Sequence, residues 1–375
     1  KGGHDEIKVN VIEMSNEDTK QKMVSGFTSG VSEGLPDIVL MDDYDVQSYL
    51  TNYEGKFAEL SDTIDFADFA EYKVENATYK EGIYAVPFDS GSAGLYYRTD
   101  YLSEAGYSEE DMKDLTWSQF VTIGEDVKEK TGKWFVAFIP NRGTHYLQMA
   151  MQSAGLWYFD EEGKIFLKDN PAIREMMPIL KEIDQKELAK PVDYFAPEGI
   201  GAVTNGEVAA VNSAIWFSAT IRSAEDQKGK WAYTHLPQLE TVDGATPYSN
   251  LGGSSWLVLN DSPNKELAMD FLKTEFAGND EFYQEILVEN GAVGTYLPSQ
   301  KGDAYQYKDP FFNDEPIYKD FSSWMAEIPG VDYGNNTQAA VDALRGVMQS
   351  YFDDALSLDE MLEEAENNYT MQVGE

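Results

Sequence analysis

The chain has 375 residues, with 67 acidic against 28 basic side chains and a formal net charge of −39 at pH 7. That charge repels phosphate backbones and anionic membrane surfaces, so nucleic acid and anionic ligands are excluded and neutral or cationic ones remain. Cysteine is absent, which excludes disulfides, thiolate metal sites and thiol nucleophiles. Aromatic residues reach 13%, with 23 tyrosines and 7 tryptophans, more rings than a core needs, so some belong to a cleft. The length exceeds one ordinary core and predicts two lobes of roughly 150–200 residues each.

In chain order, residues 7–13 read as a strand. Residues 18–29 form a helix with Met23 and Phe27 on one face. The apolar run PDIVLM at 36–41 predicts a buried strand, and residues 47–52 and the segment from Phe66 predict helices. This β-α-β-α order predicts an α/β lobe with a largely parallel sheet. Residues 83–107, IYAVPFDSGSAGLYYRTDYLSEAGY, read as a strand, a polar turn at 89–94, a second strand and the start of a helix. Residues 116–131 are a helix stopped by Gly132, and residues 145–157 another. A hairpin with its turn at 160–163 follows, then a helix over 170–185 that opens with Pro171. The blocks AAVNSAIW (209–216) and GGSSWLVLN (252–260) precede a helix over 263–277 and one or two amphipathic helices over 338–369. With no low-complexity linker, crossing strands rather than a flexible tether join the lobes.

The blocks at 83–107, 209–216 and 252–260, in that order and spacing, resemble the extracellular solute-binding proteins of sugar-importing ABC transporters, the maltodextrin-binding-like family. The resemblance implies an α/β, two-lobed periplasmic-binding-protein-like (type II) fold with crossing hinge strands. Residues 1–97 and 256–305 would form the first lobe, and 98–255 and 306–375 the second. It also implies a strand and helix ahead of residue 7, which this sequence lacks. As function it implies a non-catalytic, monomeric extracellular receptor, lipid-anchored in its precursor, that closes on a neutral oligosaccharide. The receptor would hand that ligand to the permease subunits of an ABC importer, with no cofactor and no metal.

The candidate ligand contacts follow from both readings. Asp43 and Tyr44 follow the strand at 36–41, where open α/β sheets place ligands, although an acidic loop would look the same. Asp89 and Ser90 offer an acceptor and a hydroxyl for sugar hydroxyls. Asn250, Gly253, Ser254 and Trp256 form a small-residue block that lets backbone approach a ligand, or else a hinge with Trp256 packed beneath. The resemblance places Trp216 in the cleft as a ring that stacks on a sugar's C–H face; the alternative is a core tryptophan. Trp157 and Tyr158 would wall the second lobe's side or support the hairpin. Trp324, Tyr333 and Asn335 lie where the resemblance implies a late aromatic contact.

Three other readings compete. Gly30-Val31-Ser32-Glu33-Gly34 matches G-x-S-x-G, but it follows a helix and precedes a strand, the reverse of a nucleophile elbow. A glycoside hydrolase needs paired carboxylates, and 67 acids supply pairs without meaning. A receptor for a cationic solute such as a polyamine also suits the charge.

Overall fold

The computed structural model describes residues 7–31 and 33–374. Its main sheet has five strands: β1 (Ile38–Asp42), β2 (Ala85–Arg98), β3 (Ala210–Ala214), β4 (Trp231–Thr234) and β5 (Asn250–Val258). β5 lies between β1 and the first half of β2. The second half of β2 pairs with β3 on one edge and with β4 on the other. β2 and β5 are therefore the crossing strands. Val86 near the start of β2 enters one core, with Leu60, Phe69, Leu272 and Tyr283. Leu95 near its end enters another, built by the helices Trp117–Thr131, Thr144–Ser153, Pro171–Gln185, Thr337–Phe352 and Leu358–Val373.

The helices follow their sequence signals. Pro171–Gln185 is capped by the Asn170 side chain, which accepts from Ala172 and Ile173. Its Ile173, Met176, Met177, Leu180 and Ile183 recur at helical spacing and are fully buried. Trp117–Thr131 opens with a capping box between Thr116 and Gln119 and ends at Gly132, whose φ is 69°. Asp42 caps the helix Asp43–Asn52 by accepting from the Tyr44 N–H.

Three expectations are corrected. Residues 7–13 form no strand: Val9, Val11 and Ile12 stand 58%, 83% and 59% exposed, with no strand paired alongside among the described residues. The main sheet is antiparallel at every named pairing, because β5 returns between β1 and β2 against both. Parallel pairing is confined to short contacts such as Val136–Ala137 with Ala189–Lys190. The segment from Phe66 is helical as expected, a 3-10 helix Phe66–Asp68 followed by the short helix Glu71–Ala77. Residues 89–94 do not turn; β2 runs straight through them with register shifts at Pro87/Asp89 and Ser90/Ser92. Glycine is needed here for approach rather than reversal, since a Cβ on Gly91 would collide with the Leu251 carbonyl of β5.

Two glycines give opposite predictions. Gly91→Ala is expected to destabilise the fold by about 1–3 kcal/mol, as backbone must move to admit the methyl group. Gly346→Ala, in the helix Thr337–Phe352 with open space around it, is expected to stabilise by about 0.5–1 kcal/mol. Urea unfolding monitored by circular dichroism checks both.

Candidate functional site

Where β2 and β5 cross, polar residues close on one another. Asp43 is fully buried, and its carboxylate receives the Lys73 ammonium and, at 2.9 Å, the Ser255 hydroxyl. Lys73, from the helix Glu71–Ala77, also donates to the carbonyls of Asp89 and Ser254, each at 2.9 Å. Burial pushes the Asp43 carboxyl above the usual range, and the Lys73 charge opposes that push. The Asp89 carboxylate accepts from the Ser254 N–H at 2.8 Å and its hydroxyl at 2.5 Å. Gly253 has φ of 98°, and a Cβ there would stand 2.6 Å from the Asp43 carboxylate, so only glycine fits. Asn250 accepts from the Tyr72 hydroxyl at 3.3 Å and donates to the Gly252 carbonyl and the Tyr333 hydroxyl. Ser90 bonds the Tyr72 hydroxyl at 3.0 Å and accepts from the Ser92 N–H. The structure thus brings Asp43, Asp89, Ser90, Asn250, Gly253 and Ser254 together, bonded mainly to each other and to the crossing strands.

Beside this crossing lies an aromatic shelf. The half-buried Trp216 donates its indole N–H to the Leu251 carbonyl of β5 at 3.1 Å, which fixes the ring against the crossing. The Phe195 ring lies 6.4 Å from it at 30° and is 49% exposed. Phe195 is supported edge-on by Tyr194 and by the buried His145, whose ring stacks on Tyr194 at 5.2 Å. Burial drives the His145 pKa down to about 4, so the imidazole is neutral near pH 7, with Nδ1 facing the Arg142 carbonyl.

Between the crossing and the helical core that receives Leu95 sits Tyr44. Its ring is 5.3 Å from Trp157 and meets Tyr333 edge-on at 4.9 Å. Its hydroxyl accepts from the Gly252 N–H at 3.0 Å. Trp157 and Tyr158 are buried rather than open walls, and the Trp157 indole N–H is spent on Thr337. Trp256 lies apart, packed on Phe88 and Phe276. Trp324 packs on Phe321 and Tyr233, and Asn335 is exposed ahead of the helix Thr337–Phe352. Sequence reasoning missed Phe195, Lys73 and Tyr72. An isolated aromatic pair, Tyr194-Phe195, just ahead of Pro197 was the available signal for the first; nothing local marks a buried lysine. Among the described residues no group of His, Asp or Glu is placed to hold a metal ion, and no helix is long and apolar enough to cross a membrane.

Residues 1–348 match the model of the bacterial extracellular solute-binding proteins, and the chain belongs to that family. A lactose-binding protein of Rhizobium radiobacter is 44% identical over 343 residues, covering 91% of this chain and 81% of that one. An arabinooligosaccharide-binding protein of Halalkalibacterium halodurans is 27% identical over 245 residues, covering 64% of this chain and 50% of that one. Among solved structures, the sugar-binding protein MalE of Xanthomonas citri superposes with a TM-score of 0.80 at 16% identity, covering 99% of this chain and 92% of that one. The binding protein of B. animalis subsp. lactis in complex with beta-1,6-galactobiose gives 0.78 at 19% identity, covering 99% and 93%. These structural matches establish the fold: the expected two-lobed, type II binding-protein architecture.

Asp42 generates a pH prediction. Burial, reinforced by the neighbouring Asp43 and Asp45, pushes its carboxyl up to about 7 from 3.8, against the pull of its Tyr44 hydrogen bond. Between those values the unfolded chain releases a proton that the folded chain keeps, so stability falls as pH rises through the window and levels off above about 7. Asp42→Asn keeps the helix cap and removes the buried charge. Its advantage over the parent is expected to be near zero at pH 4 and to grow to roughly 2–4 kcal/mol by pH 8. Urea titrations at a series of pH values read it directly.

Proposed function

We propose that this protein is the receptor of an ABC importer for lactose or a closely related neutral galactosyl disaccharide, which it binds without turnover. The observation that carries the reading is the Phe195–Trp216 shelf beside the strand crossing. Flat rings on a firm support suit a pyranose, whose C–H face they cover at little entropic cost, and such contacts require no charge on the ligand. The names of the relatives point the same way: lactose for the most extensive sequence match reported above, galactobiose for a structural neighbour. The nearest carboxylates, Asp43 and Asp89, are committed to Lys73, Ser255 and Ser254, which argues against an acid–base pair for glycoside hydrolysis.

In this mechanism the lobes, 1–97 with 256–305 and 98–255 with 306–375, hinge about β2 and β5. Sugar contacts made only when both lobes touch it shift the population to the closed form, which the permease subunits then engage.

Isothermal titration calorimetry against lactose, with chromatography of the sugar afterwards, tests the reading. Micromolar or tighter binding with the sugar intact is expected, and its affinity should barely change with added salt because the ligand is uncharged. Trp216→Ala is expected to weaken binding more than tenfold, about 1.4 kcal/mol or more, with the melting temperature preserved. Cleavage products would replace the reading with a hydrolase. Unchanged affinity in Trp216→Ala would remove the shelf from the site.

A further inference from the structure

Tyr44 does something the shelf does not explain. It enters from the helix Asp43–Asn52, yet its ring packs on Trp157 and Tyr333, which are grounded in the opposite lobe's core. The cage it fills is lined for a different kind of occupant. Trp157 offers only its face, because its N–H is engaged by Thr337. Hydrogen-bonding groups stand at the cage's edge: the Gly252 N–H donates to the Tyr44 hydroxyl, and the Tyr333 hydroxyl accepts from the Asn250 amide and donates to Gln152. The Tyr158 hydroxyl is buried with no hydrogen-bond partner among the described residues. It lies close enough to Tyr44 for the two to influence each other electrostatically. Aromatic faces rimmed by donors and acceptors are the lining of a sugar subsite, and a phenol ring is comparable in size to a pyranose.

The cage also adjoins the shelf. Consecutive β5 residues serve both: the Leu251 carbonyl accepts from Trp216, and the next N–H, of Gly252, donates to Tyr44. A sugar lying on Phe195 and Trp216 would therefore run into Tyr44 at that end.

We propose that Tyr44 sets the length of the sugar this protein takes, by filling with its own ring a cage that would otherwise accept one further pyranose. The inference rests on the reading of the shelf as a disaccharide site and adds to it an end wall. Removing the ring opens the cage, frees the Gly252 N–H for a sugar hydroxyl and offers the Tyr158 hydroxyl a partner. Ligands one hexose longer should gain, and lactose should not.

The experiment is calorimetric titration of the parent, Tyr44→Ala and Tyr44→Phe with lactose and with trisaccharides that extend lactose by one hexose at either end. The parent is expected to prefer lactose over both trisaccharides by more than tenfold. Tyr44→Ala is expected to shift the ratio at least tenfold toward one of them, and Tyr44→Phe, which keeps the ring, to retain the parent's ratio. An unchanged ratio in Tyr44→Ala, or a parent that already binds a trisaccharide as tightly as lactose, overturns the proposal. Should Tyr44→Ala not fold, Tyr333→Ala opens the same cage from the other lobe and must move the ratio the same way; no movement overturns the proposal equally. A parent that ignores lactose but binds another neutral disaccharide defeats the lactose assignment alone, and the same ratio is then read with that sugar and its extensions. A folded parent that binds no neutral sugar defeats both.

Discussion

The rest of the molecule is arranged around a single buried ammonium. Lys73 has no solvent exposure, and its three protons go to the Asp43 carboxylate and to the carbonyls of Asp89 and Ser254. A charge in that position is tolerable only because it is paired and fully hydrogen-bonded; taking away one partner of such a pair costs on the order of 3–5 kcal/mol. The three acceptors belong to the start of the helix Asp43–Asn52, to β2 and to β5, so one side chain ties the helix Glu71–Ala77 to both crossing strands. Fixing Asp43 in turn fixes the start of the helix that carries Tyr44. It also dictates glycine at Gly253, where any side chain would meet the carboxylate. In a chain whose net charge is −39, this buried cation is bonded to both strands that pass from one core to the other.

That arrangement separates support from recognition. The polar residues at the crossing satisfy each other, which makes the crossing a rigid base for a hinge. In the proposed function, recognition falls to the rings at its margin. Trp216 is anchored to β5 through its indole N–H, and Phe195 is braced by Tyr194 and a neutral His145, so the shelf is ordered before any ligand arrives. Preorganised apolar contacts with an uncharged sugar are compatible with an acidic surface, because the surface charge has nothing to repel.

Much of the fold was legible because local chemistry wrote it. Asn170 with Pro171, Thr116 with Gln119, and Gly132 mark helix ends through hydrogen bonds and backbone conformations that adjacent residues determine. The run at 36–41 was visible as a strand, but its partner was not. Pairing with β5 depends on residues two hundred positions away, and period alone carries no direction, so the antiparallel sheet was misread as parallel. The residues at 89–94 look like a turn because glycine and serine serve turns and tight crossings alike; Gly91 is there for the Leu251 carbonyl. At the candidate site the sequence groups Trp216 with Trp256, and the structure places the two rings apart. Both follow small residues, but one ring packs beside Phe195 and the other on Phe276. Lys73 left no local trace, since what buries it is the convergence of three distant segments.

The proposed function puts a neutral galactosyl disaccharide, intact, on the Phe195–Trp216 shelf. A crystal structure of the protein grown with lactose tests this most directly. An unbroken disaccharide is expected, with one pyranose face against Trp216 and Phe195 and its end abutting Tyr44. Lactose bound elsewhere, or electron density for separated galactose and glucose, would contradict it.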